Sequence, residues 1–218
     1  THPIGIWTNG YNELPVDKHG FICEIPDIDE IRFVENMRAE ELLKIYTYNM
    51  FHAVLAYHGH LAGYNLLFEC LEDEYIRSEA LGALDEVNQK LQIKYGFSPA
   101  EMDSWIADVV THTNNSTIGD TVFRLAADPM RKLNRNDRLI GPTMLCIESG
   151  IDPAHLINAA AAAFFYKKDE DQASKELQLL IKNKGMEKAV EDVCGLPAGD
   201  VVHERIVAAY KALGNRIE

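Results

Sequence analysis

The sequence predicts a mostly α-helical domain that follows a short irregular or β segment. Apolar residues recur at helical spacing through most of the chain from Met37 onward. Helix-start and helix-stop residues divide this region into separate helices. Residues 1–35 differ, because three prolines and three glycines interrupt them and short apolar runs such as 20–25 have the length of strands. No segment shows the repeated strand–helix–strand pattern of a parallel sheet.

The individual helices follow from their end signals. Gly59 and Gly63 are expected to bend or interrupt the first helical region. Ser98 has the pattern of an N-cap, with Pro99 at the first helical position and Glu101 completing a capping box. The predicted helices cover residues 37–68, 72–95, a stretch from 99, 153–166, 171–184, 187–194 and 200–213. Between 113 and 142 the sequence is polar and mixed, and no long helix is predicted there.

Composition restricts the partners of the chain. The 218 residues contain 34 acidic and 21 basic side chains, a formal charge of −13. A field of that sign repels nucleic-acid backbones and anionic lipid, so no nucleic acid and no membrane surface is expected as a partner. A site for a phosphorylated metabolite would have to be locally basic. The 113–142 segment holds the one dense basic cluster, made of Arg124, Arg131, Lys132, Arg135 and Arg138.

The four cysteines, Cys23, Cys70, Cys146 and Cys194, lie far apart and form no CxxC pair. That spacing disfavours a zinc site or a disulfide framework and indicates free thiols in a reducing cytoplasm. His58 and His60, with His52, form no chelating set, because two histidines separated by one residue on a helix lean to different faces. We therefore expect no metal.

One helical stretch carries a pattern with chemical meaning. Taking Lys44 as the reference and about 100° per residue, Asn49 lies at about 140° and His52 at about 80°, in one sector that Tyr48 shares. Oxidation of an alcohol needs a base for the hydroxyl proton, and burial would lower the pKa of a lysine enough to serve. An amide N–H can donate to a developing alkoxide, and a neutral imidazole can hold a substrate oxygen. On spacing alone, such residues are more often a partly solvated helix face than a catalytic set.

The pattern K-x-x-x-x-N-x-x-H, at Lys44, Asn49 and His52, resembles the signature of the polyol-specific long-chain dehydrogenase/reductase (mannitol dehydrogenase) family. Further similar segments, in the same order and spacing, are 16–18, 26–28, 52–59, 94–97, 128–133, 137–140 and 209–212. The resemblance runs from about residue 10 to 213 and corresponds to the C-terminal, substrate-binding half of that family. It implies a multi-helical fold similar to the C-terminal domain of 6-phosphogluconate dehydrogenase. Residues 1–35 would join this helical domain, 36–218, to a Rossmann domain absent from the chain.

Residue roles are implied by the same resemblance. Lys44 corresponds to the general acid/base, Asn49 to the oxyanion donor and His52 to a ligand of substrate hydroxyls. Arg124 corresponds to a substrate-contacting arginine, with Arg131 as a nearby competitor. The cofactor implied is NAD, bound mainly by the absent domain, because the chain has no GxGxxG. The acidic residue that distinguishes NAD from NADP would lie in the absent domain, and this half alone should be inactive.

The resemblance implies that the substrate is a sugar-alcohol phosphate, mannitol 1-phosphate, which would be oxidised to fructose 6-phosphate. The basic cluster, chiefly Arg124, Arg131 and Lys132, is the expected phosphate site, although ion pairs with Asp128 and Asp137 would explain it equally well. The family usually has small residues between the Asn and the His, whereas Met50 and Phe51 stand here. An unphosphorylated polyol or uronate reductase, or a non-catalytic helical binding or oligomerisation domain, are the alternatives.

Overall fold

The computed structural model describes residues 14–22, 24–25, 28–29 and 31–217. Two short strands, β1 (Leu14–Asp17) and β2 (Ile31–Val34), pair in parallel, with Leu14 opposite Ile31. The sequence suggests a strand within 20–25, and this prediction is wrong for the described residues of that run. Lys18–Gly20 forms a 3₁₀ turn, and Phe21 follows it without a strand partner. Cys23 lies outside the described residues, and its predicted free thiol with it.

The remaining described elements are helical, which confirms the predicted multi-helical fold class. They begin with α1 (Met37–Lys44), a π-helical turn (Ile45–Asn49) and α2 (Met50–Ala62). The others are α3 (Leu67–Glu72), α4 (Glu74–Tyr95), α5 (Pro99–Thr113), α6 (Val122–Ala126), α7 (Pro129–Lys132), α8 (Ile140–Ile147), α9 (Ala154–Ala163), α10 (Gln172–Lys184), α11 (Met186–Cys194) and α12 (Val201–Ile217). None of the described helices combines the length and the apolar character that crossing a membrane requires.

Helix α2 lies at the centre of the core. Its residues from Met50 to Gly59 are all buried, and α3, α4, α6 and α9 pack against it. A helix that is apolar on every side can be stable in water only when other elements surround it. The side chains at its two ends are therefore the ones that can reach the surface, and His52, near the N-terminal end, lines a cavity there.

The two glycines of the first helical region have different roles. Gly63 ends α2 in the left-handed conformation, with φ +83°, as a C-cap glycine does. Gly59 lies within α2, where an added Cβ atom would clash with Cys70 Sγ on α3. Gly63 interrupts the helix as predicted, whereas Gly59 allows two helices to approach closely.

The start of α9 shows how a correct local signal can miss the interaction that satisfies it. Asp152 and Pro153 predict a helix start, and α9 begins at Ala154. Its first amides, however, donate to the carboxylate of Glu86 on α4, from His155 N at 2.7 Å and from Leu156 N at 3.1 Å. Desolvation by burial raises the pKa of Glu86. A long-range acidic group thus caps the helix and ties α9 to α4.

The cysteines that the structure describes agree with the sequence interpretation. Cys70, Cys146 and Cys194 are free and buried. Burial raises the pKa of Cys70 and of Cys146 to about 12. These thiols pack as small apolar groups and are not activated nucleophiles.

The close approach at Gly59 predicts an unusual response to alanine. Gly59→Ala should lower the free energy of unfolding by about 1–3 kcal/mol, because the overpacking against Cys70 outweighs the gain in helix propensity. Gly214→Ala is the matched control, since it also lies within a helix but its added Cβ would lie 3.7 Å from Phe165. It should be neutral or stabilise by up to about 1 kcal/mol. Urea unfolding measures both, and an equal gain in stability for both variants would contradict the packing described.

Candidate active site

One cavity of about 470 Å³ is lined by the six residues that the sequence analysis expects to act in catalysis or substrate binding: Lys44, Asn49, His52, Arg124, Arg131 and Lys132. The cavity lies between the α1–α2 junction and the segment that carries α6, α7 and the residues before α8. Its lining consists of Lys44, Tyr48, Asn49, His52, Ile118, Asp120, Arg124, Leu125, Arg131, Lys132 and Arg138. One continuous helical stretch therefore supplies Lys44, Asn49 and His52. They face a cationic wall from a distant part of the chain, formed by Arg124, Arg131, Lys132 and Arg138.

A π-helical turn, which was not predicted from the sequence, sets the positions of Lys44 and Asn49 relative to each other. In the turn Ile45–Asn49, the amide of Met50 donates to the carbonyl of Ile45, five residues earlier. Residues five apart then lie about one turn from each other, so Asn49 comes nearer to the direction of Lys44 than the α-helical projection indicates. Single π turns inside helices occur frequently at functional sites, and no residue type in this stretch announces one.

Helix α5 braces the π turn from the side. The indole Nε1 of Trp105 donates to Thr47 Oγ1 at 2.7 Å, and that hydroxyl donates to the carbonyl of Leu43 at 2.5 Å. Thr47 is fully buried. These bonds join α1, the π turn and α5, which fixes the helix from which the site projects.

His52 is buried and held by neighbours on two sides. Its Nε2 lies 2.9 Å from Thr113 Oγ1 on α5, and its ring packs against that of Tyr48 with centroids 4.5 Å apart. Burial lowers the pKa of His52 to about 4, and the nearby Asp120 carboxylate opposes that shift only in part. The imidazole is consequently neutral at neutral pH, as the sequence analysis expects of a substrate ligand.

The two lysines of the cavity differ in their exposure, and the sequence-based expectation for one of them is wrong. Lys44 is exposed in the described part of the chain, so the prediction that this lysine is buried is wrong. Lys132 is the buried one, with 4% of its surface exposed and its Nζ donating to the carbonyl of Ala127. Burial, aided by the positive charges of Arg138 and Arg131, lowers the pKa of Lys132 to about 8.

A strained turn presents the cationic wall. Asp128 has φ +59° and is the one non-glycine residue with positive φ among those described. Its carboxylate accepts from the backbone N of Arg131 and, at 2.7 Å, from Arg131 Nε, while its own amide donates to Asp171 Oδ2. Pro129 then starts α7, which carries Arg131 and Lys132. Backbone strain of this kind persists only where its surroundings enforce it.

The arginines of the wall have acidic partners in the structure. Arg124 pairs with Asp120, Arg131 with Asp128 and, at 3.5 Å, with Asp137, and Arg138 with Asp137 at 2.7 Å. Both explanations that the sequence allowed for this cluster are therefore visible: the cations line the cavity, and they also form ion pairs. Lys132 has no carboxylate within ion-pair distance among the described residues.

Three further differences from the sequence-based expectations concern neighbours of the site. Arg135 lies outside the cavity lining, with its guanidinium donating to the carbonyl of Gly195 at 3.0 Å. Met50 and Phe51 are fully buried in the core, so these bulky residues do not fill the cavity. Asp120 lines the cavity although nothing in the sequence marked it for function.

In the described part of the chain, no group of three or more His, Cys, Asp or Glu could hold a metal ion.

Comparisons with known proteins agree on one family. Residues 36–214 match the family model described as the mannitol dehydrogenase C-terminal domain. Mannitol-1-phosphate 5-dehydrogenase of Brevibacillus brevis is 33% identical over 192 residues, which is 88% of this chain and 50% of that protein. The chain thus spans about half the length of this curated relative.

Solved structures show the same fold. Pseudomonas fluorescens mannitol 2-dehydrogenase, in a ternary complex with NAD and D-mannitol, superposes with a TM-score of 0.69 at 17% identity, over 86% of this chain and 41% of that one. A substrate-free D-sorbitol dehydrogenase gives a TM-score of 0.66 at 15% identity, over 85% and 41%. At such identities the likeness concerns the fold.

The buried state of His52 predicts a pH dependence of stability. In the unfolded chain His52 takes up a proton near 6.5, the ordinary pKa of histidine, but in the folded chain it does so only near 4. The unfolded state therefore holds more protons between these values, and stability should fall as the pH drops from about 6.5 to about 4, by up to about 3 kcal/mol from this residue. Urea unfolding of wild type and His52→Asn across that range should show a shallower dependence in the variant. Parallel curves would contradict the assignment.

Proposed function

Because the chain belongs to the mannitol dehydrogenase C-terminal domain family, we propose that it is the substrate-binding and catalytic half of an NAD-dependent polyol-phosphate dehydrogenase. The proposed reaction interconverts mannitol 1-phosphate and fructose 6-phosphate. One observation carries the proposal: Lys44, Asn49 and His52 share a single cavity with Arg124, Arg131 and Lys132. Groups suited to alcohol chemistry thus face groups suited to a phosphate.

The roles follow from the chemistry of each group. Lys44, in its neutral form, takes the hydroxyl proton at C5 while the hydrogen on that carbon leaves as hydride and the ketone forms. The amide of Asn49 donates to the oxygen as negative charge develops on it. His52, a neutral imidazole, holds a hydroxyl of the polyol.

The cofactor requires a second domain. The described residues contain a two-stranded sheet and no strand that leads through a glycine-rich turn into a helix, so they do not form a dinucleotide site. NAD, when bound, would supply the hydride acceptor, and we assign its binding mainly to a Rossmann domain encoded with this chain and joined through residues 1–35. Lys44 also borders a second cavity of about 470 Å³, lined in part by Leu14, Pro15, Met37 and Trp105. A domain seated over that side would bury Lys44 and favour its neutral form.

The phosphate assignment depends most on the wall around Lys132. A buried ammonium without a carboxylate partner lacks the charge compensation that burial requires, and an anionic ligand would supply it. Arg131, which is exposed and beside it, can add a charge-assisted hydrogen bond while keeping part of its contact with Asp128. The acidic mean charge of the chain therefore does not exclude a phosphate at this wall.

The phosphate role predicts the behaviour of two arginines. Arg131→Ala should raise the Kd of this chain for mannitol 1-phosphate about tenfold or more, because a hydrogen bond to a charged group is worth about 1.5–3 kcal/mol. Arg135→Ala is the matched control, since that side chain is turned to Gly195 and away from the cavity, and should leave the Kd unchanged. Calorimetric titration with mannitol 1-phosphate, mannitol and inorganic phosphate measures both. An unchanged affinity of Arg131→Ala for mannitol 1-phosphate would refute the assignment.

The alternative within the family is an unphosphorylated polyol or uronate reductase. The carboxylate partners of Arg124, Arg131 and Arg138 favour it, because they already neutralise most of the wall. It predicts that mannitol binds as well as mannitol 1-phosphate in the same titration. A non-catalytic helical binding domain predicts that neither polyol binds.

A further inference from the structure

The hydroxyl of Thr113 lies between two groups whose proton requirements differ. Thr113 is the last residue of α5 and is buried. Its Oγ1 lies 2.6 Å from the carbonyl oxygen of Val109, one turn earlier, and 2.9 Å from His52 Nε2 on α2. Both contacts are within hydrogen-bond distance.

Counting protons decides the direction of each bond. A carbonyl oxygen has no proton, so the contact with Val109 exists only if Thr113 donates its single hydroxyl proton there. Thr113 Oγ1 then has only lone pairs to offer to the histidine, and His52 Nε2–H must donate to it. Since the ring is neutral, its one N–H proton is on Nε2 and Nδ1 is left with a lone pair.

We propose that Thr113 is a positioning residue that fixes His52 as the Nε2–H tautomer and leaves Nδ1 as the acceptor for a substrate hydroxyl. A bare ring nitrogen accepts a hydrogen bond from an alcohol, but it repels the lone pairs of a carbonyl or phosphate oxygen. His52 in this form selects a hydroxyl-bearing carbon of the polyol and turns the phosphate towards the cationic wall. Thr113 thereby contributes to the orientation of the substrate without touching it.

The ring orientation is fixed together with the tautomer. Thr113 holds the Nε2 side, and Tyr48 packs against the ring at an angle of 56°. Thr113 itself is anchored through Val109 to the body of α5, the helix that also braces the π turn through Trp105. One helix therefore holds both the histidine and the backbone turn that carries Asn49.

The tautomer is a property of this chain and can be measured on it without cofactor or substrate. Side-chain ¹⁵N NMR at pH 7, with His52 assigned from the His52→Asn variant, should show a protonated Nε2 and an unprotonated Nδ1. Thr113→Val should shift both signals towards a mixture of tautomers, and Thr113→Ser should restore the wild-type pattern. Thr143→Val is the matched control, because Thr143 is also buried and makes the same bond to the carbonyl four residues earlier, at 2.7 Å, but forms no hydrogen bond with a histidine among the described residues.

The functional consequence rests on the proposed function and has its own readout. In the protein encoded by the complete gene, Thr113→Val should reduce kcat/KM for polyol oxidation about tenfold to a hundredfold, the scale of a misplaced reacting group. Thr113→Ser and Thr143→Val should stay within about twofold of wild type. A His52 pattern that Thr113→Val leaves unchanged would overturn the positioning role, whether or not the enzyme is active. A tautomer that shifts as expected in a protein inactive on every polyol would support the role and count against the proposed function instead.

Discussion

The burial of α2 from Met50 to Gly59 is the constraint on which the rest of the structure depends. Ten consecutive residues, Met50 to Gly59, are buried, so α3, α4, α6 and α9 must surround the helix. The close contact between Gly59 and Cys70 is part of that packing, and the capping of α9 by Glu86 joins two of the surrounding helices. Because the body of α2 is enclosed, the side chains of its first turn and of the π turn before it are the ones that reach the cavity.

The site is then assembled from two parts with different origins. Lys44, Asn49 and His52 come from one continuous stretch, whose spacing a π turn adjusts and α5 holds in place. The cationic wall comes from residues 124–138, where the strained backbone of Asp128 and the start of α7 present Arg131 and Lys132. Local geometry in each part is enforced by its own hydrogen bonds, while the packing of α2 against α6 brings the two parts together.

Electrostatics in this cavity are set locally and not by the net charge of −13. Each of the three arginines has an aspartate partner, which limits the positive potential that the wall can present to an approaching ligand. Lys132 differs, because its burial is compensated by a backbone carbonyl alone among the contacts described. The balance between these carboxylates and Lys132 is what separates a phosphate site from a site for neutral polyols.

Much of this arrangement can be predicted from the sequence, for identifiable reasons. The capping box at Ser98 and the glycines at Gly63 and Gly96 are local signals, and the helix ends follow them. The pattern Lys44–Asn49–His52 is recognisable because three chemical groups fall in one helical sector. All six candidate residues line the same cavity, although their roles stay proposals.

What the sequence does not reveal depends on long-range packing. The π turn has no residue signature, and the capping of α9 uses Glu86 from a distant helix. The exposure of Lys44 and the burial of Lys132 depend on tertiary packing, as does the separation of Arg135 from its neighbours. Thr113 could not be recognised, since its importance lies in a contact with a residue 61 positions away.

Substrate preference tests most directly the proposal that this cavity serves the oxidation of a phosphorylated polyol. The protein encoded by the complete gene should be assayed with NAD under steady-state conditions on three substrates in parallel. These are mannitol 1-phosphate, mannitol for the unphosphorylated polyol alternative, and altronate for the uronate reductase alternative. We predict that kcat/KM for mannitol 1-phosphate exceeds the values for the other two by at least about tenfold, the effect of one charged contact. Equal or higher kcat/KM on mannitol would contradict it.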